Sequence, residues 1–172
     1  FTSAMTAYPN ACYFKAGVQT ISSATPLVAI KNMFANGTWE KLPSNWNLFL
    51  GNQPGVLGET CALALIVGGI YLVARRVINP IIPLSFIGTV FALTAVAGAN
   101  PLQQILSGGV MLGAIFMATD YSTSPMTNGG KLIFGIGCGL ITVLIRLFGS
   151  SAEGVSYSII LMNILSPQID RL

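Results

Sequence analysis

The chain has 172 residues, of which 53% are hydrophobic and only 8% are charged, and it contains no histidine. A soluble domain carries about 25% charged residues, so this composition and a mean hydropathy of +0.73 exclude a soluble enzyme and a disordered linker. The absence of histidine from the sequence excludes a histidine-dependent catalytic triad and a histidine-ligated haem. We therefore expect the chain to fold within a lipid bilayer.

The charged and sulfur-containing side chains are thinly spread. The net charge of +3 comes without a basic run, which argues against nucleic-acid binding. Cys12, Cys61 and Cys138 lie far apart, so we interpret them as small apolar core residues rather than as ligands of zinc or of an iron–sulfur cluster. The chain begins at Phe1 without a signal-peptide pattern. It looks like a piece of a longer protein that begins inside an extramembrane loop.

The apolar residues divide the chain into two parts. Residues 1–58 hold four prolines and both tryptophans, but no run of about 20 apolar residues that could cross a bilayer. Residues 59–172 contain five apolar runs, Thr60–Val77, Ile81–Ala99, Leu102–Thr119, Leu132–Phe148 and Val155–Ile169. Because a buried amide in lipid must be satisfied within its own helix, we predict an all-α integral membrane protein. Residues 1–58 form its extramembrane loop and residues 59–172 its five-span domain.

Basic residues in the short loops indicate an orientation, because such residues favour the cytoplasmic side. On the other side, the only basic residue near a loop is Arg146, just inside the fourth span. Residues 1–58 are therefore predicted to lie outside, and the C-terminus in the cytoplasm. The basic residues of the predicted cytoplasmic side are Arg75, Arg76, Lys131 and Arg171.

Glycines recur at a spacing of four in two of the spans. Gly109 with Gly113, and Gly135 with Gly139, match the pattern that lets helix backbones approach closely in lipid. We interpret both pairs as packing faces. The alternative is a short or broken helix whose open backbone lines an ion path.

A helix is predicted to begin within the run I-S-S-A-T-P-L of residues 21–27. Thr25 suits the N-cap position and Pro26 suits the first helical position. Apolar residues then repeat at helical spacing, at Leu27, Ile30 and Phe34.

The start of this helix is a candidate anion site. A helix N-terminus presents free N–H groups and a positive partial charge, which together stabilise a phosphate. Ser22, Ser23 and Thr25 add hydroxyl groups at the same point. The plain alternative is a capped loop helix that binds nothing.

Several ordered blocks resemble one protein family. The blocks are S-S-A-T-P-L at 22–27, F-L-G-N-Q-P-G at 49–55, G-G-V-M-L-G-A-I-F-M-A-T-D at 108–120 and L-M-N-I-L-S-P at 161–167. They are similar to the D subunit of the Rnf complex and to the B subunit of the sodium-translocating NADH:quinone reductase, and the last block resembles the Rnf member more closely. The resemblance implies that the five spans are one half of a ten-helix inverted-repeat fold, preceded by a flavin-binding loop.

The resemblance also implies a cofactor. In this family FMN is joined through its phosphate to the threonine that ends a D-x-x-(S/T)-G-A-T pattern. The matching residue is Thr25, which would carry the phosphoryl-linked FMN. Gln19 and Ser23 stand where the family pattern has Asp and Gly. The neighbouring residues of this predicted site are Ser22, Ser23, Ala24 and Pro26.

An ion path is implied by the same resemblance. Residues 108–120 align with a suspected ion constriction in the sodium-pumping relative, where apolar side chains narrow the path. In this sequence Leu112 and Phe116 would form the constriction, with Asp120 beside it. Glu59 is a further candidate. From the residues alone, Glu59 could instead favour the N-terminus of span one, and Asp120 could be a solvated cytoplasmic end.

The resemblance implies a membrane flavoprotein subunit of an ion-translocating electron-transfer complex that passes electrons from ferredoxin to NAD and exports Na⁺ or H⁺. Its partners would be other subunits that hold flavin and iron–sulfur centres, in the inner membrane of a prokaryote. The alternatives are the B subunit of a sodium-translocating NADH:quinone reductase, a cofactor-free transporter repeat and a purely structural scaffold. No catalytic residue and no metal ligand is predicted in this chain.

Overall fold

A computed structural model describes residues 5–6, 27, 30–31, 44–51, 55–56, 58–149 and 153–171. Within these ranges the fold is helical apart from one two-residue antiparallel pair. In that pair Met5 of β1 (Met5–Thr6) is aligned with Val56 of β2 (Gly55–Val56). The short helix α1 (Asn45–Leu50) precedes β2 and ends at Gly51, whose φ of 87° is left-handed.

The apolar part of the chain forms a bundle of helices. In the described residues one of them, α6, is long and apolar enough to cross a bilayer by itself, whereas α2, α3 and α7 are shorter apolar helices. The prediction of an all-helical fold in this part is confirmed. The helices are α2 (Ala62–Ala74), α3 (Ile81–Val96), α4 (Pro101–Leu106), α5 (Val110–Leu112), the π-helical turn Gly113–Met117, α6 (Asn128–Phe148) and α7 (Val155–Ile169).

The first two helices are shorter than the apolar runs that predicted them. Helix α2 starts only after Cys61, which is extended. It ends before Arg76, which has a left-handed φ of 55°. Helix α3 ends before Gly98, where φ is 77°. The apolar runs therefore overestimate helix length, because α2 already ends at the two arginines within its run and α3 ends before a left-handed glycine.

A side-chain cap sets the start of α6, whereas a proline does not set the end of α7. Helix α6 begins earlier than predicted, since the hydroxyl of Thr127 accepts a hydrogen bond from the Gly130 amide at 3.0 Å and caps the first turn. Helix α7 has the predicted bounds. Pro167 lies within its last turns and does not end it.

The third span, predicted over Leu102–Thr119, is broken, which matches the alternative of a short or broken helix in this glycine-rich run. Helix α4 ends at Leu106, Ser107 is extended, and Gly108 has a φ of 70°. Glycine adopts this φ at little steric cost. Beyond α5 the chain continues as a π-helical turn, with the Ala118 amide donating to the Gly113 carbonyl at 2.7 Å.

Helices α3 and α6 pack through glycines, as predicted for one of the two glycine pairs. A Cβ atom on Gly135 would lie 1.8 Å from Ser85 Oγ, and one on Gly139 would lie 2.7 Å from Thr89 Cβ. The backbone of α3 is also close, because the Phe86 carbonyl oxygen would lie 3.0 Å from a Cβ atom on Gly139. Only glycine permits this approach.

Helix α7 joins the bundle through both small and polar groups. A Cβ atom on Gly113 would lie 2.2 Å from Val155 Cγ1, so the π-helical turn packs closely against the start of α7. Deeper in the core, the Thr142 hydroxyl of α6 donates to Ser158 Oγ of α7 at 2.8 Å. A buried interhelical hydrogen bond of this kind satisfies groups that lipid could not.

One end of the bundle gathers the loop after α2, the loop before α6 and the residues after α7. The Tyr121 hydroxyl donates to the Val77 carbonyl oxygen. The Met126 amide donates to Asp170 Oδ1 at 2.9 Å. The break in the third span therefore lies toward the opposite end, near the loop between α6 and α7.

Candidate functional site

The predicted flavin site is next to residues that the structure describes. Leu27, Ile30 and Lys31 are helical, and Leu27 and Ile30 are almost completely buried. In the sequence, Thr25 precedes Leu27 by two residues. The predicted site residues themselves lie outside the described ranges; they are Ser22, Ser23, Ala24, Thr25 and Pro26.

The helix containing Leu27 is docked on the break in the third span. A Cβ atom on Gly108 would lie 3.0 Å from Leu27 Cδ2. The Lys31 ammonium donates to the carbonyl oxygen of Gly149, just after α6. Leu27 and Lys31, which follow the predicted flavin anchor in the sequence, thus contact the helical bundle.

Arg146 holds the carbonyl end of the break. It lies in the last turn of α6 and is only 3% exposed. Its Nη1 donates to the Gln104 carbonyl oxygen at 2.6 Å, and its Nη2 donates to the Ser107 carbonyl oxygen at 3.4 Å. The last carbonyls of a helix have no partner within that helix, so the guanidinium satisfies groups that the break leaves open.

Two carboxylates lie at the amide end of the break. Glu153 Oε1 is 3.9 Å from Arg146 Nη2 and accepts a hydrogen bond from the Gly109 amide at 3.2 Å. On the same glycine, a Cβ atom would lie 3.0 Å from Glu59 Oε2. We call Lys31, Glu59, Arg146 and Glu153 the Arg146 cluster.

The formal charges of the Arg146 cluster balance, with two cations and two carboxylates. Such pairing is what permits a buried arginine in an apolar helix, since an unpaired charge there is very unfavourable.

Glu59 lies just before the first helix of the apolar part. Helix α2 begins at Ala62, and its first turn contains no acidic residue. The Glu59 carboxylate lies against Gly109, across the break. This contact is long-range and has no local sequence signal.

The four predicted ion-path residues follow the third span without forming one cluster. Glu59 lies at the break and Asp120 follows the far end of the segment. Between them, Leu112 is half-buried and Phe116 is partly exposed. Phe116 Cζ would lie 3.2 Å from a Cβ atom on Gly68, so this ring covers α2 where α2 has no side chain.

Asp120 is a solvated residue at the end of its segment. Its Oδ2 accepts hydrogen bonds from Ser122 Oγ at 2.6 Å and from Thr123 Oγ1 at 3.5 Å. The hydrogen bond from Ser122, followed by weaker contributions, lowers the pKa of Asp120 below its ordinary value. The carboxylate therefore stays ionised at neutral pH.

Sequence reasoning counted Arg146 only as a loop charge and missed its structural role. A signal was present, because an arginine within an apolar run is by itself a reason to expect a function. Its pairing with Glu153 was not predictable, since that contact depends on how the loop after α6 folds back over the break.

Relatives that carry a functional name cover much of this chain. It is 46% identical over 154 residues to the D subunit of the Na(+)-translocating ferredoxin:NAD(+) oxidoreductase complex of Acetobacterium woodii, a match that covers 88% of this chain and 47% of that relative. It is 42% identical over 166 residues to the D subunit of the proton-translocating ferredoxin:NAD(+) oxidoreductase complex of Clostridium ljungdahlii, covering 90% of this chain and 50% of that relative.

A third relative is the D subunit of the ion-translocating oxidoreductase complex of Stutzerimonas stutzeri, 45% identical over 131 residues, which covers 72% of this chain and 37% of that relative. The chain thus spans about half the length, or less, of these relatives. The sequence profile described as the NQR2, RnfD, RnfE family matches residues 1–172, the whole chain. The chain therefore belongs to the NQR2, RnfD, RnfE family.

Proposed function

We propose that this chain is part of the membrane flavoprotein subunit of an ion-translocating complex that passes electrons from ferredoxin to NAD. The observation that carries the proposal is the family match over the whole chain, together with relatives named as the D subunits of such complexes. One relative is named for Na⁺ and another for protons, so the proposal covers either coupling ion. The partners are the other subunits, which hold further flavin and iron–sulfur centres.

Within this function, Thr25 is the proposed attachment residue of a covalent FMN. When bound, FMN supplies the electron-transfer chemistry, while the protein positions it. One feature of the described residues supports this role, because Leu27 and Ile30 are helical and buried. A second comes from the sequence, in which Thr25 precedes Leu27 at a predicted helix start, where N–H groups favour a phosphate. Ser22, Ser23, Ala24 and Pro26 would form the remainder of the site.

The attachment is tested by mass spectrometry of the complex purified from native membranes. Trypsin should release residues 16–31 as one peptide, because Lys15 and Lys31 flank them. We expect the mass of an FMN phosphodiester on this peptide, and fragment ions should place it on Thr25 rather than on Thr20. An unmodified peptide from an active complex would remove the flavin assignment.

A second measurement separates the flavoprotein from a cofactor-free transporter repeat. Covalent flavin survives denaturing electrophoresis and gives a fluorescent band at the size of the flavoprotein. The Thr25→Ala variant should lose this band, and the Thr20→Ala variant should keep it. If Thr25→Ala leaves electron transfer intact, the chain is a scaffold instead.

Ion translocation is proposed to follow the broken third span, from the Glu59 end to the Asp120 end. An opened backbone and a π-helical turn are the kind of structure that lines transport paths in membranes. Leu112 and Phe116, which lie between the two acids, would narrow the path. Asp120→Asn should reduce ion pumping in vesicles more than it reduces flavin content, whereas equal losses would assign Asp120 a structural role.

A quinone reductase is the second candidate, because the family description also includes NQR2. The named relatives favour the ferredoxin-dependent complex. Purified complex should therefore reduce NAD with reduced ferredoxin as donor. A complex that oxidises NADH with quinone, and is inactive with ferredoxin, would favour the second candidate.

The proposed location is the inner membrane of a prokaryote, with residues 1–58 outside. Support comes from basic residues that share one end of the bundle, since Arg76 and Lys131 line a common cleft there. In a variant whose own cysteines Cys12, Cys61 and Cys138 are replaced by alanine, Arg75→Cys should react with a membrane-impermeant reagent in inverted vesicles and not in intact cells. The reverse result would invert the orientation.

A further inference from the structure

Two adjoining spaces at the basic end of the bundle are not used by the proposed electron path. The first is an open cleft of about 580 Å³ between the loop after α2 and the loop before α6. This volume is within the range of small-molecule sites, roughly 300–1,000 Å³. Its polar lining consists of Arg76, Asn79, Thr119, Tyr121, Ser124 and Lys131.

The second space is a groove of about 370 Å³ between α2 and α3. Its lining is aliphatic, with Ile70 and Leu84 among the most exposed side chains. The groove and the cleft share three lining residues, Val73, Ile78 and Pro80. They therefore adjoin each other, with an apolar part along the helices and a polar part at their end.

The cleft is positively charged. Arg76 and Lys131 are the charged residues among the described residues that line it. Lys131 is in the first turn of α6, where the partial charge of the helix is also positive. Two carboxylates lie beside the cleft without lining it: Asp120 accepts a hydrogen bond from Ser122, and Asp170 accepts one from the amide of Met126, a lining residue.

Arg76 is held in an uncommon conformation at this point. Among the described residues it is the one non-glycine with a positive φ, at 55°. A left-handed residue of this kind costs free energy and is often found at ligand sites. The Arg76 amide donates to the Val73 carbonyl oxygen at 2.9 Å, which ties the strained residue directly to the wall shared by the two spaces.

We propose that the cleft and the groove together bind one anionic phospholipid. Its phosphodiester would be held by Arg76 and Lys131, and one acyl chain would lie in the groove between α2 and α3. Basic pockets between transmembrane helices are suited to anionic headgroups. A zwitterionic lipid would bring a cation toward the same two positive side chains, and a free phosphate would leave the apolar groove empty.

The inference rests on the proposed membrane position of α2 and α3 and is independent of the flavin at Thr25. It is tested with the intact complex, delipidated in detergent and titrated with phosphatidylglycerol, phosphatidylcholine or inorganic phosphate while thermal unfolding is followed. We expect stabilisation that saturates with phosphatidylglycerol. Equal stabilisation by phosphatidylcholine, or by phosphate alone, would overturn the proposal.

Variants of the two cations locate the headgroup. Arg76→Gln and Lys131→Gln should each weaken the apparent affinity for phosphatidylglycerol about fivefold, the value expected for one basic side chain at an anionic lipid. Arg76→Lys keeps the charge and should restore most of the affinity. Arg75→Gln is the matched control, because Arg75 is adjacent and exposed but does not line the cleft. An equal loss in Arg75→Gln would show a diffuse surface effect and contradict a defined site.

The groove is tested separately. Leu84→Trp fills part of it and should displace phosphatidylglycerol that co-purifies with the complex, as counted by native mass spectrometry. A photoreactive group attached at Leu84→Cys should label lipid. Labelling of a polypeptide instead would show that protein covers the groove and would overturn the proposal. Because flavin fluorescence is read on the same samples, a failure of the flavin assignment is distinguishable from a failure of lipid binding.

Discussion

Arg146 and Glu153 hydrogen-bond the open backbone groups on opposite sides of the break in the third span. The Arg146 guanidinium donates to the carbonyl oxygens that end α4, and Glu153 accepts from the Gly109 amide that precedes α5. The two side chains are themselves 3.9 Å apart. A pair of opposite charges thus replaces the backbone hydrogen bonds that a continuous helix would have made.

Replacing Arg146 should destabilise the protein strongly. Arg146→Met leaves the Gln104 and Ser107 carbonyls without their donor and removes the partner of Glu153, so we expect a loss of about 3 kcal/mol of unfolding free energy. Denaturant unfolding of the detergent-solubilised protein measures it. The control is Arg75→Met at an exposed site, which should have little effect. If Arg146→Met lost no more unfolding free energy than Arg75→Met, the assigned role of Arg146 would be contradicted.

A side chain at Gly108 should disrupt the same pair. In Gly108→Ala the Cβ would lie 2.3 Å from Glu153 Oε1 and 2.9 Å from Arg146 Nη2. Glu153 can turn away, but only by giving up its contacts with Arg146 and with the Gly109 amide. The control is Gly98→Ala, which has a similar φ but no atom within 4 Å of the new Cβ.

The difference in stability between Gly108→Ala and Gly98→Ala separates two effects. One is the steric contact of the new Cβ with Glu153 and Arg146, and the other is backbone strain. Strain alone should cost about 1–2 kcal/mol in each, so Gly108→Ala should lose more than Gly98→Ala. Their melting temperatures, compared under one set of conditions, provide the measurement. Equal shifts would mean that the charged pair does not contribute.

The packing of α3 on α6 predicts a contrast between two other glycines. Gly139→Ala places a Cβ 2.7 Å from Thr89 Cβ and 3.0 Å from a backbone oxygen, so it should cost about 1–3 kcal/mol through overpacking. Gly88→Ala on α3 has no atom within 4 Å and should be neutral or stabilising by up to about 1 kcal/mol. Thermal unfolding of both variants tests the contrast, and similar behaviour would argue against a tight interface.

The hydrogen bonds of Asp120 predict a pH effect of defined sign. Since the folded pKa lies below the ordinary value of 3.8, the contribution to stability is present above that value and is lost as the pH falls through the folded pKa. Ser122→Ala should raise the pKa of Asp120, and Thr123→Ala should raise it less, because its hydrogen bond is longer. Infrared titration of isotopically labelled aspartate measures both, and a larger shift in Thr123→Ala would contradict the geometry.

Hydrophobic runs predicted where helices form in the apolar part of this chain, because burial in lipid leaves the backbone few alternatives. The bounds of α7 and the glycine packing of α6 were predictable, since both depend on local residue spacing. The helix after Pro26 was also predictable, and Leu27 and Ile30 are helical and buried as its periodicity requires.

The break in the third span was foreseen only as an alternative, because Gly108 and Gly109 permit a break but do not require one. A left-handed Gly108 becomes favourable only where Arg146 and Glu153 satisfy the open backbone, and both residues are distant in sequence. Nor does the spacing of Glu59 indicate that it faces Gly109. The attachment of FMN at Thr25 and the binding of a lipid at Arg76 stay predictions, and both are argued from the residues around them.

The contact between Gly135 and Ser85 has a mechanical consequence. With a serine oxygen in the position that a Cβ would take, α3 and α6 have no free space in which to slide or rotate against each other, and densely packed interiors transmit displacement rather than absorb it. Helix α2 faces α3 across an aliphatic groove instead. Any rearrangement of the bundle should therefore move α3 and α6 together as one unit.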